Sequence, residues 1–149
     1  MPRRRTRFLL GRCVRCIYSQ TGISLVNQYA TLERSAASFL GSTDFNGLTP
    51  ATAAAPATLF GAALARSDLA VGWYRDVACV DPWNCSAQVA STSVSIALPS
   101  TVADGFWSVT FVDPATGNTA GTAQVAVSSA KLAVALPAFT DSIAFRTSP

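Results

Sequence analysis

From Thr58 onward, apolar and polar positions alternate in short bursts, the period-two signature of half-buried strands. The clearest case lies within Asp104–Asn118, where Trp107, Val109 and Phe111 take turns with Ser108, Thr110 and Val112. It runs into Asp113-Pro114-Ala115-Thr116-Gly117-Asn118, where Pro presets a turn φ and Gly and Asn accept positive φ. Comparable patterns predict strands over Thr58–Ala65, Leu69–Val77, Gln88–Leu98, Thr119–Ser128, Lys131–Leu136 and Asp141–Arg146. Arg66-Ser67-Asp68 reads as a tight hairpin between the first two. Seven strands with no crossover helix among them predict an antiparallel β-sandwich, immunoglobulin-like or similar.

Upstream the period changes. Leu25, Tyr29, Leu32, Ala36 and Phe39 step by four, three, four and three residues, one apolar stripe of a helix over Ser24–Leu40. Ser24 suits its N-cap and Gly41 its stop. Residues 42–56, with Asn46-Gly47, Thr49-Pro50 and an Ala-rich run to Pro56, read as a linker. The expected organisation is a leader over 1–23, the helix over 24–41, the linker over 42–56 and the sandwich over 57–149.

Charge changes the picture only at the N-terminus. The chain has 11 basic and 8 acidic residues, and six of the basic ones precede position 16. The remainder has five basic and eight acidic side chains, a net of −3, so the β region has no basic footprint for nucleic acid. The arm itself starts like a secretory signal, but Gly11-Arg12 interrupts its apolar run and no cleavage site follows. Its lack of acidic residues before Glu33 matches a transit peptide better, and a basic RNA- or lipid-binding arm is a further reading; a disordered leader is the plainest. No apolar run approaches the roughly 20 residues of a membrane-spanning helix, so no membrane partner is expected.

Candidate chemistry is sparse. There is no histidine and a single glutamate, Glu33, which removes the commonest general base and the commonest metal ligand. Cys13 and Cys16 form a C-x-x-C, but zinc needs further ligands at matching spacing, and the pair reads as incidental thiols. No run has the ligand spacing of a calcium loop, so no cofactor is expected. Cys79 and Cys85 bracket a short turn-rich loop and invite a local disulfide in an oxidising compartment.

The order helix, linker, then a hairpin carrying Gly72-Trp73-Tyr74-Arg75-Asp76 resembles the C-terminal end of secreted glycoside hydrolases of the cellulase/mannanase type. In these a (β/α)8 barrel is followed by a small β-sandwich. Leu25–Leu40 with Asp44-Phe45 resembles the last barrel helix and its exit. Leu59–Ala65 and Leu69–Asp76 resemble the opening hairpin, and Phe106–Gly117 and Leu136–Phe145 the central and closing strands. The resemblance implies an extracellular accessory domain whose partners are its own catalytic barrel and a β-linked polysaccharide. It carries over no catalytic residue: such barrels use a pair of glutamates, and one glutamate is not a pair. The alternative is a free-standing extracellular adhesion or binding module.

Among the aromatics, Trp73 and Trp107 are in phase with Leu69/Val71 and Val109/Phe111 and read as core. Tyr74 points to the opposite face and is expected to be exposed. Trp83, in the cysteine-bracketed loop, is with Tyr74 the candidate for stacking on sugar rings, against the plainer reading that it packs onto its own hairpin.

Overall fold

The computed structural model describes residues 34–41, 43–79 and 87–149. A short helix, α1, covers 34–41. It is followed by β1 (Thr49–Ala51), β2 (Ala53–Ala54), β3 (Leu59–Arg66), β4 (Leu69–Asp76), β5 (Gln88–Val89), β6 (Thr92–Ala97), β7 (Gly105–Val112), β8 (Thr119–Ser128), β9 (Lys131–Leu136), β10 (Phe139–Thr140) and β11 (Ser142–Ser148). All seven expected strands are present; Gln88–Leu98 is broken into β5 and β6.

The architecture is not a seven-strand sandwich. Nine strands form one antiparallel sheet in the order β1-β3-β4-β11-β7-β8-β9-β6-β2, nearly closed into a barrel, and β5 and β10 form a separate ribbon. The physical reason lies in residues 49–54, part of the stretch read as a linker. The strands at the two ends of the sheet, β1 and β2, are consecutive, with Thr52 alone between them. Thr49–Ala51 pair with Ala65–Ala63, and Ala53 and Ala54 pair with Ile96 and Ser95. The Thr52 carbonyl accepts from the Ala97 N–H at 2.9 Å. One extended segment therefore satisfies both edges, which removes most of the unpaired backbone that an open sheet exposes. Closure is incomplete because β9 pairs with β8 only at Val127↔Leu132 and Ser128↔Lys131.

Inward residues alternate as the strand period requires. Val94, Ile96, Val109, Phe111, Val127, Leu132, Val134, Leu136, Ile143 and Phe145 belong to one buried cluster, and Trp107 joins it as expected. At β4 the expected phase is reversed: Ala70 and Tyr74 face this core, whereas Trp73 is 37% exposed. Leu69–Tyr74 is apolar on both faces, so its pattern does not choose a side. Two glycines, one on each side of a strand pairing, choose it. Tyr74 lies over Gly61 of β3 and the Phe145 ring over Gly72. Tyr74 and Phe145 then stack nearly parallel, with centroids 6.3 Å apart.

α1 and the segment after it are tied to the sheet at two points. Ser35 is buried beside Gly117 of the β7–β8 turn. At the other end of the sheet, the Arg66 guanidinium donates to Asp44 Oδ2 (3.0 Å), the Asp44 carbonyl (3.1 Å), the Asn46 carbonyl (2.6 Å) and Asp68 Oδ1 (2.6 Å). Between the two anchors Val71 and Ala144 are buried although they lie outside the interior cluster. Beyond the helix, the Thr43 N–H and Oγ1 donate to the Leu40 and Phe39 carbonyls of its last turn. Of the expected stripe, Phe39 is half-buried and Ala36 exposed; Leu25, Tyr29 and Leu32 lie outside the described residues.

Candidate functional site

The polar features converge on the end of the barrel where β4 stops and β11 begins. Asp141 occupies a left-handed conformation, φ 66°, which Asp tolerates better than most residues because its short side chain bonds locally. Its carboxylate accepts from Arg75 Nε (3.0 Å) and from Ser142 Oγ (3.3 Å), and its carbonyl accepts from the Asp76 N–H (3.1 Å). Asp76 in turn accepts the Ala78 N–H at Oδ1 and the Cys79 N–H at its carbonyl. Cys79 is a disulfide cysteine, so its 3.0 Å approach to Asp141 Oδ1 is a contact and not a donated hydrogen bond. Arg75 and Asp141 are each about a quarter exposed, a pair that fixes two strand ends and is partly screened by water.

Beside this cluster is a cleft of about 270 Å³, lined by Gln88, Asp113, Ala120, Phe139, Thr140 and Ile143 among others. The Asp113 carboxylate is already engaged, accepting from the Ala115 N–H (2.8 Å) and Thr116 Oγ1 (2.9 Å) in the β7–β8 turn. The cleft thus offers an amide, a hydroxyl and an apolar wall, which suit neutral polar ligands better than ions.

Tyr74, expected at the surface, is 1% exposed, and its hydroxyl has no hydrogen-bond partner among the described residues. Burial raises its pKa. A ring enclosed by Gly61 and Phe145 presents no face to a sugar, and this corrects the expectation. Trp83 and Cys85 lie outside the described residues, as do Cys13, Cys16 and Glu33.

The exposed aromatic surface is elsewhere. On the outer side of the β3–β4 hairpin, Phe60 (66% exposed) meets Trp73 edge to face, with centroids 6.2 Å apart and planes at 84°. Val77 continues the patch at the end of β4, and a separate aromatic, Phe106, is exposed on β7. Leu59 and Phe60 are adjacent and both apolar, so the pattern along β3 does not choose which one turns outward, and Trp73, expected in the core, is exposed instead. Among the described residues no group of three or more His, Cys, Asp or Glu is placed to hold a metal ion.

No protein-family model matches the chain, and no curated protein matches it.

Proposed function

We propose that this chain is an accessory β domain, with its leading helix, of a secreted glycoside hydrolase acting on β-linked polysaccharide. In this reading it supports a catalytic (β/α)8 barrel and contacts glycan, and it performs no hydrolysis by itself. The observation that carries the reading is the Phe60–Trp73 pair. Two aromatic rings stand exposed on the hairpin whose sequence resembles the opening of such domains, where a flat π face suits the C–H face of a pyranose. The Cys79 disulfide supports an oxidising, extracellular compartment.

A second reading, a free-standing extracellular binding module, is favoured by one feature: the chain anchors its own helix segment, through Ser35 at Gly117 and Asp44 at Arg66.

Affinity electrophoresis in soluble β-glucan and β-mannan gels, with intrinsic tryptophan fluorescence, tests the first reading. The expected result is retardation on one polysaccharide, lost in Trp73→Ala, with no release of reducing ends. Hydrolysis by the purified chain, or migration unchanged by both polymers, refutes it; unchanged migration is the result a protein-binding module gives.

A further inference from the structure

Of the four asparagines in the chain, only Asn46 precedes a glycine. Asparagine is a chemically labile residue, and a following glycine makes it most so, because a nitrogen with no neighbouring Cβ has an open approach to the side-chain carbonyl carbon. Asn46 and Gly47 are both exposed, on the segment between α1 and β1. They are the central residues of a turn closed by the Leu48 N–H on the Phe45 carbonyl at 3.2 Å. Of the two only Gly47 has positive φ, 73°, which is the arrangement of a type II turn.

This turn is held in place by charged neighbours. Arg66 Nη1 donates to the Asn46 carbonyl at 2.6 Å and to Asp44 Oδ2 at 3.0 Å. The Asn46 N–H donates to Asp44 Oδ1 at 3.0 Å, and the Asn46 side-chain amide also bonds the Asp44 carboxylate. In a type II turn the nitrogen of the third residue lies away from the side chain of the second. To reach Asn46 Cγ, the Gly47 nitrogen must swing round the Asn46 ψ bond, and that rotation carries the Asn46 carbonyl off the Arg66 guanidinium.

We propose that Asn46-Gly47 is a site of spontaneous covalent modification, and that Arg66 restrains the reaction in the folded chain. The Gly47 amide gives its proton to solvent hydroxide, and its nitrogen bonds to Asn46 Cγ. The Cγ–Nδ2 bond breaks, the side-chain nitrogen leaves as ammonia with a proton from water, and a cyclic imide remains. Water then opens either imide C–N bond, which gives an aspartyl or an isoaspartyl residue. No oxidant or further reactant is consumed. In the isoaspartyl form the backbone runs through Cβ and Cγ and is one atom longer, so the turn no longer presents the Asp44 and Asn46 carbonyls together to Arg66. The tie between α1 and the sheet is thereby loosened.

The test is incubation of the full chain at mildly alkaline pH, followed by peptide mapping with mass spectrometry and isoaspartyl-specific methylation. Native wild type should be modified at Asn46 and not at Asn118, and several-fold more slowly than the same chain in urea; this comparison needs no variant. Arg66→Met keeps the side-chain stem and deletes the guanidinium, and should react several-fold faster than wild type under native conditions. Val134→Ala lowers global stability from β9 without removing an Arg66 contact, and should keep the wild-type rate. In the isoaspartyl fraction, separated by ion exchange, the Leu48 amide should lose its protection from hydrogen exchange. The absence of product at Asn46, or equal rates in native buffer and urea, overturns the proposal. So does a wild-type rate in Arg66→Met, or a Val134→Ala rate as fast as that of Arg66→Met, which would trace the reaction to general unfolding. Unchanged Leu48 protection in the isoaspartyl form overturns the loosening of the tie.

Discussion

Gly72 and Phe145 face each other in the β4–β11 ladder, and the phenyl ring fills the space where a side chain at 72 would stand. In Gly72→Ala the new Cβ would lie 2.5 Å from Phe145 Cζ and 2.6 Å from Cε1. Ordinary carbon–carbon contact is about 3.5–4.0 Å, so the ring must retreat by about 1 Å. It has nowhere to go: Phe145 is fully buried, stacked on Tyr74 at 6.3 Å and met by the Phe111 ring at 6.5 Å. Overpacking of this kind costs about 1–3 kcal/mol. Replacing a strand glycine by alanine returns roughly 0.5–1 kcal/mol of backbone entropy, so the net loss should be about 1–2 kcal/mol, a fall of about 2–8 °C in Tm. The assay is urea and thermal unfolding followed by far-UV circular dichroism. In a cycle with Phe145→Leu, the alanine should cost about 1 kcal/mol less once the ring is gone. Gly61→Ala should be worse than Gly72→Ala, because its Cβ would meet the Trp73 carbonyl and Tyr74 Cα, backbone that cannot rotate aside. A Gly72→Ala protein as stable as wild type, or a strictly additive cycle, would refute the reasoning.

Thr147 Oγ1 accepts from the Ala70 N–H (2.9 Å) and donates to the Ala70 carbonyl (3.2 Å), both buried, where the β4–β11 ladder has ended. Isosteric Thr147→Val should lose about 1–3 kcal/mol in denaturant unfolding, and Thr147→Ser should recover most of it. Tyr74→Phe removes a buried hydroxyl that has no partner among the described residues, so stability in the same assay should be unchanged or slightly raised. The β8–β9 turn holds Ser129 and Ala130 at φ 52° and 54°, the left-handed pair that favours Asn-Gly; Ala130→Gly should raise Tm, with a gain of up to about 1 kcal/mol. The Asp44 carboxyl is held below its ordinary pKa by the Asn46 N–H first and the Arg66 guanidinium next. A depressed folded-state pKa means that the clamp on residues 43–48 is intact above the unfolded pKa near 3.8 and lost as pH falls through the folded value. Acid titration by NMR should therefore release these amides below pH 3.8, with little change in global stability because the pair is exposed.

Much of the fold was legible because its determinants are local. Alternation at Trp107, Val109 and Phe111 needs only a pleated strand beside one core, and all three are buried. The Asp113–Asn118 turn follows from Asp side-chain bonding and from Gly117 at φ 74°. Little of the candidate site was legible. The exposed Phe60–Trp73 pair and the Asp141 cluster join residues from different strands, and no spacing along the chain announces them.

The sequence by itself determined where β segments form, that they run antiparallel, and that a helix precedes them. Tertiary structure alone decided two things. Residues 49–54 are Ala-, Thr- and Pro-rich with no amphipathic signal, yet two sheet edges in need of backbone partners draw them into strands and bend a sandwich toward a barrel. Leu69–Tyr74 is apolar on both sides, so only the space left by two glycines, Gly61 across the ladder beneath Tyr74 and Gly72 within the segment beneath Phe145, puts one face inside and sends Trp73 out. Alternation is a property of one strand; which face turns inward is a property of its neighbours.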